Sequence, residues 1–475
     1  MTKEEAFMFL AKTGKLKTKK TTEIKTSPFS IGMETLDRDM FEAEPTFKHL
    51  AVLGAKWARI QPGWMKCEKT EGVYDFKWLD KVVTGLLEAG VQPWMNLGYG
   101  NKIYIPECDH PFGTGWCPLY SERARAGWCN FIDALTKHYR GRVSRFEIWN
   151  EPDGAKYYWQ PLRKPDPAGV AELTKLTAKV IKKNVPDAFI IGGVVANPRN
   201  LKFIQGLFEG GIGEVINALS VHCYSTEPES SDGMLYDTIR GIIRRYNPDV
   251  KVWQGEGGAQ STPYGYGACW DLPWTEELQA RIVAKRFVCD IGNRIELTNY
   301  FHLSDLKNYA GRGVPDYREY CYFGLLRRGD YSPKPSFRTM QTLATIFADG
   351  VELTDLAIAD LYDDASGRYV FGCRKIFRKG NYPVIACWTP ANVFDQTPPR
   401  RVDIAYNVLS AGMTLDNPVL IDPITQDVYF VPPARPEGCT LKDPCAEPNM
   451  LHRIPYMDYP LIITDRAAIE IIEEK

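Results

Sequence analysis

Two polar strings interrupt apolar runs of the sequence where covalent chemistry can be housed. RFEIWNEP carries Glu147, Asn150 and Glu151, and VKVWQGEGG carries Glu256. A pair of carboxyls, one protonated and one ionised, can hand a proton to a leaving oxygen while the other attacks the carbon it leaves. Held about 5 to 5.5 Å apart, such a pair cleaves a glycosidic bond with retention of configuration. Other side chains are suited to assist. Arg59 of WARI can keep one carboxylate ionised by charge-assisted hydrogen bonding, Tyr224 of SVHCYS can donate to the same carboxylate, and Asn150 offers an amide donor to a sugar 2-hydroxyl. Glu151, lacking such donors and facing the charge of Glu256, is expected to keep its proton, as a general acid must. Glu147 lies inside its apolar run and is better placed to pair with an interior arginine. His222 alone reads as a satisfied core histidine, but Tyr224 two residues on makes it a site candidate. Asn96, near the end of VQPWMNL, is a further candidate for substrate contact.

These residues need a scaffold that brings distant chain segments to one rim. From about residue 28 to 348 the sequence alternates short β-rich runs with amphipathic stretches, the pattern of repeated βα units. Strands are expected at Phe29 to Met33, Trp57 to Ile60, Val91 to Leu97, Val143 to Trp149, Phe189 to Val195, Ala218 to Cys223, Val250 to Gln254 and Ile295 to Leu303. Between them lie helical periods such as Trp78, Leu79, Val82, Val83, Leu86 and Leu87, closed by Gly90. Eight such units make an α/β (β/α)8 TIM barrel, whose catalytic groups stand at the C-terminal ends of the strands. Glu151 follows the fourth strand and Glu256 ends the seventh, so both reach the same rim.

After Phe347 the texture changes to short alternating runs, RYVFGC, YPVIACW, PVLIDP, VYFVPP and YPLIITD, divided by Asp, Gly and Pro turns. The chain therefore divides into an N-terminal segment (1–27), a catalytic barrel (28–348) and a smaller all-β, sandwich-like accessory domain (349–475).

Asn150-Glu151 after strand four and Glu256 at strand seven resemble the acid/base and nucleophile of clan A glycoside hydrolases. Arg59, His222 and Tyr224 extend the resemblance over the whole barrel. The string EIWNEPDGAKYYWQ is most similar to family 39, the β-xylosidase and α-L-iduronidase group. The resemblance implies Glu151 as acid/base and Glu256 as nucleophile. It also places Leu303 of FHLSD where many clan members carry a Trp that stacks on the sugar. Among the tryptophans, Trp64, Trp94, Trp149 and Trp253 read as core, and Trp270, in the long loop after strand seven, is the candidate platform.

Composition excludes several other classes. Lys and Arg total 58 against 59 Asp and Glu, so there is no basic surplus to hold nucleic acid. The start MTKEEAFMFLAKTGKLKTKK lacks the apolar run of a signal peptide, and no stretch approaches a membrane span, so a cytoplasmic protein is expected. Cys108 with Cys117, and Cys439 with Cys445, could be bridged only if the chain were exported. No metal or other cofactor is expected: Cys108, His110 and Cys117 lack a fourth ligand, and no phosphate-binding glycine motif follows a first strand. The partner is an oligosaccharide or glycoside, and a β-xyloside attacked from the chain end is the first expectation. Long loops after strands three and seven (98–120 and 257–274) favour a closed pocket over an open endo-acting cleft. Uronides stay open because Lys102, Lys307 and Arg312 lie in rim loops. A catalytically silent sugar-binding barrel is the remaining alternative, disfavoured because two close carboxylates destabilise a site with no use for them.

Overall fold

The computed structural model describes residues 1–108, 110, 112–154, 159–307, 320–363, 372–408, 411–432 and 450–473. Arg312, Cys439 and Cys445 lie outside the described residues. The ten described cysteines are all free, Cys108 and Cys117 among them. No described helix is long and apolar enough to cross a membrane.

Eight parallel strands close into a barrel: Phe29–Gly32, Trp57–Ile60, Gln92–Leu97, Arg145–Ile148, Phe189–Val195, Ala218–His222, Lys251–Gly257 and Thr298–Tyr300. The eighth closes on the first, with Thr298 opposite Phe29 and Tyr300 opposite Ile31. Every strand expected from the sequence is present, though the fourth and eighth are shorter at both ends. A helix follows each strand, and four of the principal ones begin at a side chain that caps an otherwise unpaired backbone N–H: Ser121, Asp166, Asn200 and Thr275. The helix Lys77–Glu88 buries Leu79, Val82, Val83 and Leu86 against the barrel, and Gly90 at φ 81° turns the chain into the third strand.

The barrel interior is layered. Trp94, Ile191, Ala218, Trp253 and Leu297 plug its lower part. Above them the fully buried Arg59 rests on the Trp94 ring, its guanidinium carbon 5.6 Å from the ring centre. The catalytic rim is therefore floored by a charged layer over an aromatic one.

The C-terminal residues form antiparallel sheets. Eight strands make one sheet and three the other, Ile358–Asp363, Arg400–Tyr406 and Met450–Tyr456. The N-terminal segment belongs to this part of the molecule: Ala11–Leu16 pairs with Asp427–Phe430 and Ile471–Ile472, and Ala6 and Phe7 enter the same core. The barrel helix Glu276–Gly292 joins the two parts, setting Ala280 and Ala284 into that core. Directly after Ala284, the fully buried Lys285 lies 2.7 Å from Glu229 of the preceding helix and donates to the Ala391 carbonyl. Glu229 also accepts from Trp388 Nε1 at 3.3 Å and Ala391 N at 3.2 Å.

Removing one member of a buried ion pair leaves the other uncompensated, at a cost of about 3 to 5 kcal/mol. Lys285→Met should accordingly lower Tm by many degrees in calorimetry, and Lys285→Met with Glu229→Gln should recover part of that loss. A single variant that melts with wild type would show that the junction does not depend on this pair.

Candidate active site

The two glutamates reach the rim by different backbone devices. At the seventh strand, Gln254 pairs with Val221 and Glu256 with His222, so one extra residue is inserted and the strand is re-aimed there. Glu151 stands beyond the end of the fourth strand in the left-handed region, at φ 51°, which is uncommon for a side-chain-bearing residue. Its N–H donates to Val194 O at 2.9 Å, and Asp153 accepts from Ala196 N at 2.7 Å and Asn197 N at 3.0 Å. The turn after strand four is thereby fastened to the turn after strand five.

Arg59 organises what lies between. Nε donates to Glu147 Oε2 at 2.7 Å, and Nη2 lies 2.6 Å from the same oxygen. Nη1 donates both to Glu34 Oε1 at 2.8 Å and to Glu256 Oε2 at 2.7 Å, while Nη2 donates to Asn150 Oδ1 at 2.7 Å. Because Asn150 accepts through Oδ1, its NH2 is left as a donor to the cavity that it lines. Glu147 is the structural partner of Arg59, as its place inside the strand suggested.

Tyr224 donates to Glu256 Oε1 at 2.8 Å. Burial pushes the Glu256 carboxyl up, but the charges of His222 and Arg59, with hydrogen bonds from Tyr224 and Arg59, outweigh it and hold the group below the ordinary glutamate value. Burial also opposes charge on His222, yet Glu256 and the hydrogen bond to Glu151 lift the imidazole above its usual value. Glu151 is not without a partner, contrary to expectation: His222 Nδ1 lies 2.9 Å from Glu151 Oε1. A carboxylate oxygen of each glutamate and a ring nitrogen of His222 fall within 4.8 Å of one another. By distance alone this trio could grip a divalent cation, but the Arg59 charge 2.7 Å from Glu256 opposes one there. The arrangement suits proton transfer and nucleophilic attack.

The trio opens into a cavity of about 380 Å³, walled by Thr35, Arg38 and Met40 after strand one, Tyr99 and Thr114 after strand three, Tyr266 to Ala268 and Trp270 after strand seven, and Phe301, Leu306, Cys321 and Phe323 after strand eight. Trp270 is 51% exposed at its lip. Asn96 is not in the cavity. It is fully buried, and its amide is spent on Gln61, Glu147 and the Trp149 carbonyl. Leu303 is likewise buried, and Phe301, two residues earlier, presents the aromatic face. Lys102 and Lys307 are exposed and do not line the cavity. Arg38, unnoticed in the sequence, does line it, paired with Asp37 at 3.0 Å. Glu34 was also missed, although it stands just beyond the first strand, where a rim search finds polar residues.

Residues 63–356 match the sequence profile of glycosyl hydrolases family 39. The chain belongs to this family. Its eight-stranded barrel carries an added β domain. A β-xylosidase of Caldicellulosiruptor saccharolyticus is 22% identical over 340 residues, 63% of this chain and 64% of that relative, so the match spans less than two thirds of the relative's length. Among solved structures, a family 39 glycoside hydrolase from Bacteroides cellulosilyticus WH2 superposes with TM-score 0.64 at 19% identity, covering 92% of this chain and 81% of that one. A monomeric β-xylosidase from Caulobacter crescentus CB15 gives TM-score 0.55 at 17% identity over 96% of this chain and 98% of that one. At these identities the structural likeness establishes the fold.

Within this family 39 site, Tyr224→Phe removes one donor from Glu256 and leaves the ring in place. A hydrogen bond to a charged group contributes about 1.5 to 3 kcal/mol, and one pKa unit is about 1.4 kcal/mol. The Glu256 carboxyl should therefore take up its proton roughly one to two units higher in pH in the variant, read by carbon NMR of labelled glutamate. An unmoved titration would show that Tyr224 is not its donor in solution.

Proposed function

We propose that this family 39 protein is a glycosidase that hydrolyses β-linked glycosides from the chain end with retention, using Glu256 as nucleophile and Glu151 as general acid and base. The observation that carries the reading is the approach of the two carboxylates to within 4.8 Å across His222. That gap favours direct attack over a water held beneath the ring, since inverting pairs stand about 6.5 to 9.5 Å apart. Glu256, ionised on Arg59 and Tyr224, attacks the anomeric carbon while Glu151 protonates the leaving oxygen. The ester so formed is hydrolysed by water that Glu151 deprotonates, and two inversions give net retention. His222 holds Glu151 oriented, and the Asn150 amide meets the 2-hydroxyl, where the contact strengthens as positive charge grows on the ring.

Loops from four strands enclose the cavity, which supports action on a terminal sugar. Phe301 and Trp270 supply flat faces for the glycone and the next unit. The named relatives support a β-xyloside as glycone. A uronide finds less support among the described residues, where the cations at the cavity wall are Arg59 and Arg38, the latter paired with Asp37.

Glu256→Ala should abolish turnover of every substrate. Glu151→Ala should cost roughly 10² to 10⁴ on glycosides with poor leaving groups and far less on activated aryl glycosides, whose departure needs little protonation. Equal losses on both substrate types would reverse or remove these roles. The rate should be bell-shaped in pH, with an acidic limb belonging to Glu256 and a basic limb that Glu151→Gln removes for an activated substrate.

Retention is checked separately by proton NMR of the first-formed sugar before mutarotation, and a 2-fluoro glycosyl inactivator should label Glu256. A first product of opposite configuration would sink the double displacement.

A further inference from the structure

Three carboxyls, Glu34, Glu147 and Glu256, surround the single guanidinium of Arg59. Were all ionised, three negative charges would share this guanidinium and the His222 charge beside Glu256 in a desolvated layer, an arrangement that drives one carboxyl to hold a proton. The partners decide which one. Glu147 Oε2 accepts from Arg59 Nε and Asn96 Nδ2 and faces a second guanidinium nitrogen. Glu256 accepts from Arg59 and Tyr224 and has His222 Nδ1 at 3.7 Å. Glu34 accepts one hydrogen bond, at Oε1, and among the described residues its buried Oε2 has no partner, as Glu147 Oε1 has none, so what sets Glu34 apart is that it has the fewest donors of the three. Glu34 Oε2 is packed over Gly32, where a Cβ would come within 2.4 Å of it.

We propose that Glu34 is a positioning residue that stands on Arg59 as a neutral carboxylic acid, accepting its Nη1 hydrogen bond without drawing on its charge. The charge of Arg59 is then left to Glu147 and Glu256. The consequence for catalysis rests on the reading of Glu256 as nucleophile, but the protonation of Glu34 does not. Glu34 lines the cavity, but its Oε2 is sealed and its Oε1 is taken up by Arg59. The charged or titratable groups around it are Arg59 from the second strand, Glu256 and Tyr224 across the rim, and His302 after the eighth strand, whose Nε2 lies 3.9 Å from Oε2. His302 stays neutral, pushed down to about 4 by burial, and its Nε2 donates to the Glu34 carbonyl at 3.0 Å. Burial, reinforced by the charge of Glu256 and opposed by Arg59, raises the Glu34 carboxyl to about 7.

The test compares Glu34→Gln, which keeps a neutral acceptor, with Glu34→Ala, which leaves the Arg59 donor unpaired. Glu34→Gln should keep kcat/KM within about threefold of wild type on the acidic side and leave the acidic limb in place, whereas Glu34→Ala should lower kcat/KM roughly tenfold or more. If Glu34 were an anion, Glu34→Gln would remove a negative charge beside Glu256 and move the acidic limb down by about one unit, which would overturn the proposal. Infrared difference spectra, wild type minus Glu34→Gln, taken about one unit below the Glu34 value of about 7, should show the carbonyl stretch of a protonated carboxyl. Its absence overturns the proposal whatever residue proves to be the nucleophile, and failure of the 2-fluoro sugar to label Glu256 removes only the catalytic consequence.

Discussion

A guanidinium cannot shed its proton inside a protein, and Arg59, with no exposed surface, must find all its compensation from neighbours. It finds it in residues from three other barrel strands or their rims, Glu34 from the first, Glu147 and Asn150 from the fourth, and Glu256 from the seventh, with Arg59 itself on the second. One rigid planar fork therefore fixes the relative positions of side chains that are nearly 200 residues apart in sequence. The same bonds that satisfy its charge hold Glu256 ionised and turn the Asn150 amide toward the cavity. Structure and electrostatics are set by one group.

Two of the molecule's backbone irregularities fall where that fork meets the cavity. The extra residue before Glu256 and the left-handed φ of Glu151 both re-aim carboxylates away from regular strand geometry. Such conformations cost of order 1 to 3 kcal/mol each and persist only where surroundings over-determine them. Here the surroundings are visible: Asp153 ties the turn of Glu151 to Ala196 and Asn197, and Glu256 is pinned on both oxygens.

How much of this the sequence carries depends on the kind of signal. Strand positions and the rim location of Glu151 and Glu256 follow from apolar runs and from what comes directly after them, which are local patterns. Asn96 also ends an apolar run, yet its amide turns inward to Gln61 and Glu147, because a position at the close of a strand can face the interior as readily as the cavity. Leu303 was placed by counting along FHLSD, but the strand ends at Tyr300, so the cavity-facing aromatic is Phe301. The contact between His222 and Glu151 joins two strand ends and is invisible to any local reading. Glu34 stands in METLDRDM, a string that mixes polar and apolar residues and so hides a carboxyl whose partner lies on another strand.

The charge balance of the cavity bears on what it accepts. Among the described residues, Glu34, Glu151 and Glu256 line it, Glu147 lies beneath, and against them stand Arg59, whose nitrogens are all committed, and Arg38, held by Asp37 and Gln61. A glycone bearing a carboxylate would need a cation with donors to spare, since a buried anion without one is expensive. A neutral sugar needs only hydrogen-bond donors and acceptors and an aromatic face, which Asn150, the two catalytic candidates and Phe301 provide. On the proposed reading, the interior charge that keeps Glu256 ionised also disfavours an anionic glycone, so chemistry and specificity would follow from the same buried layer.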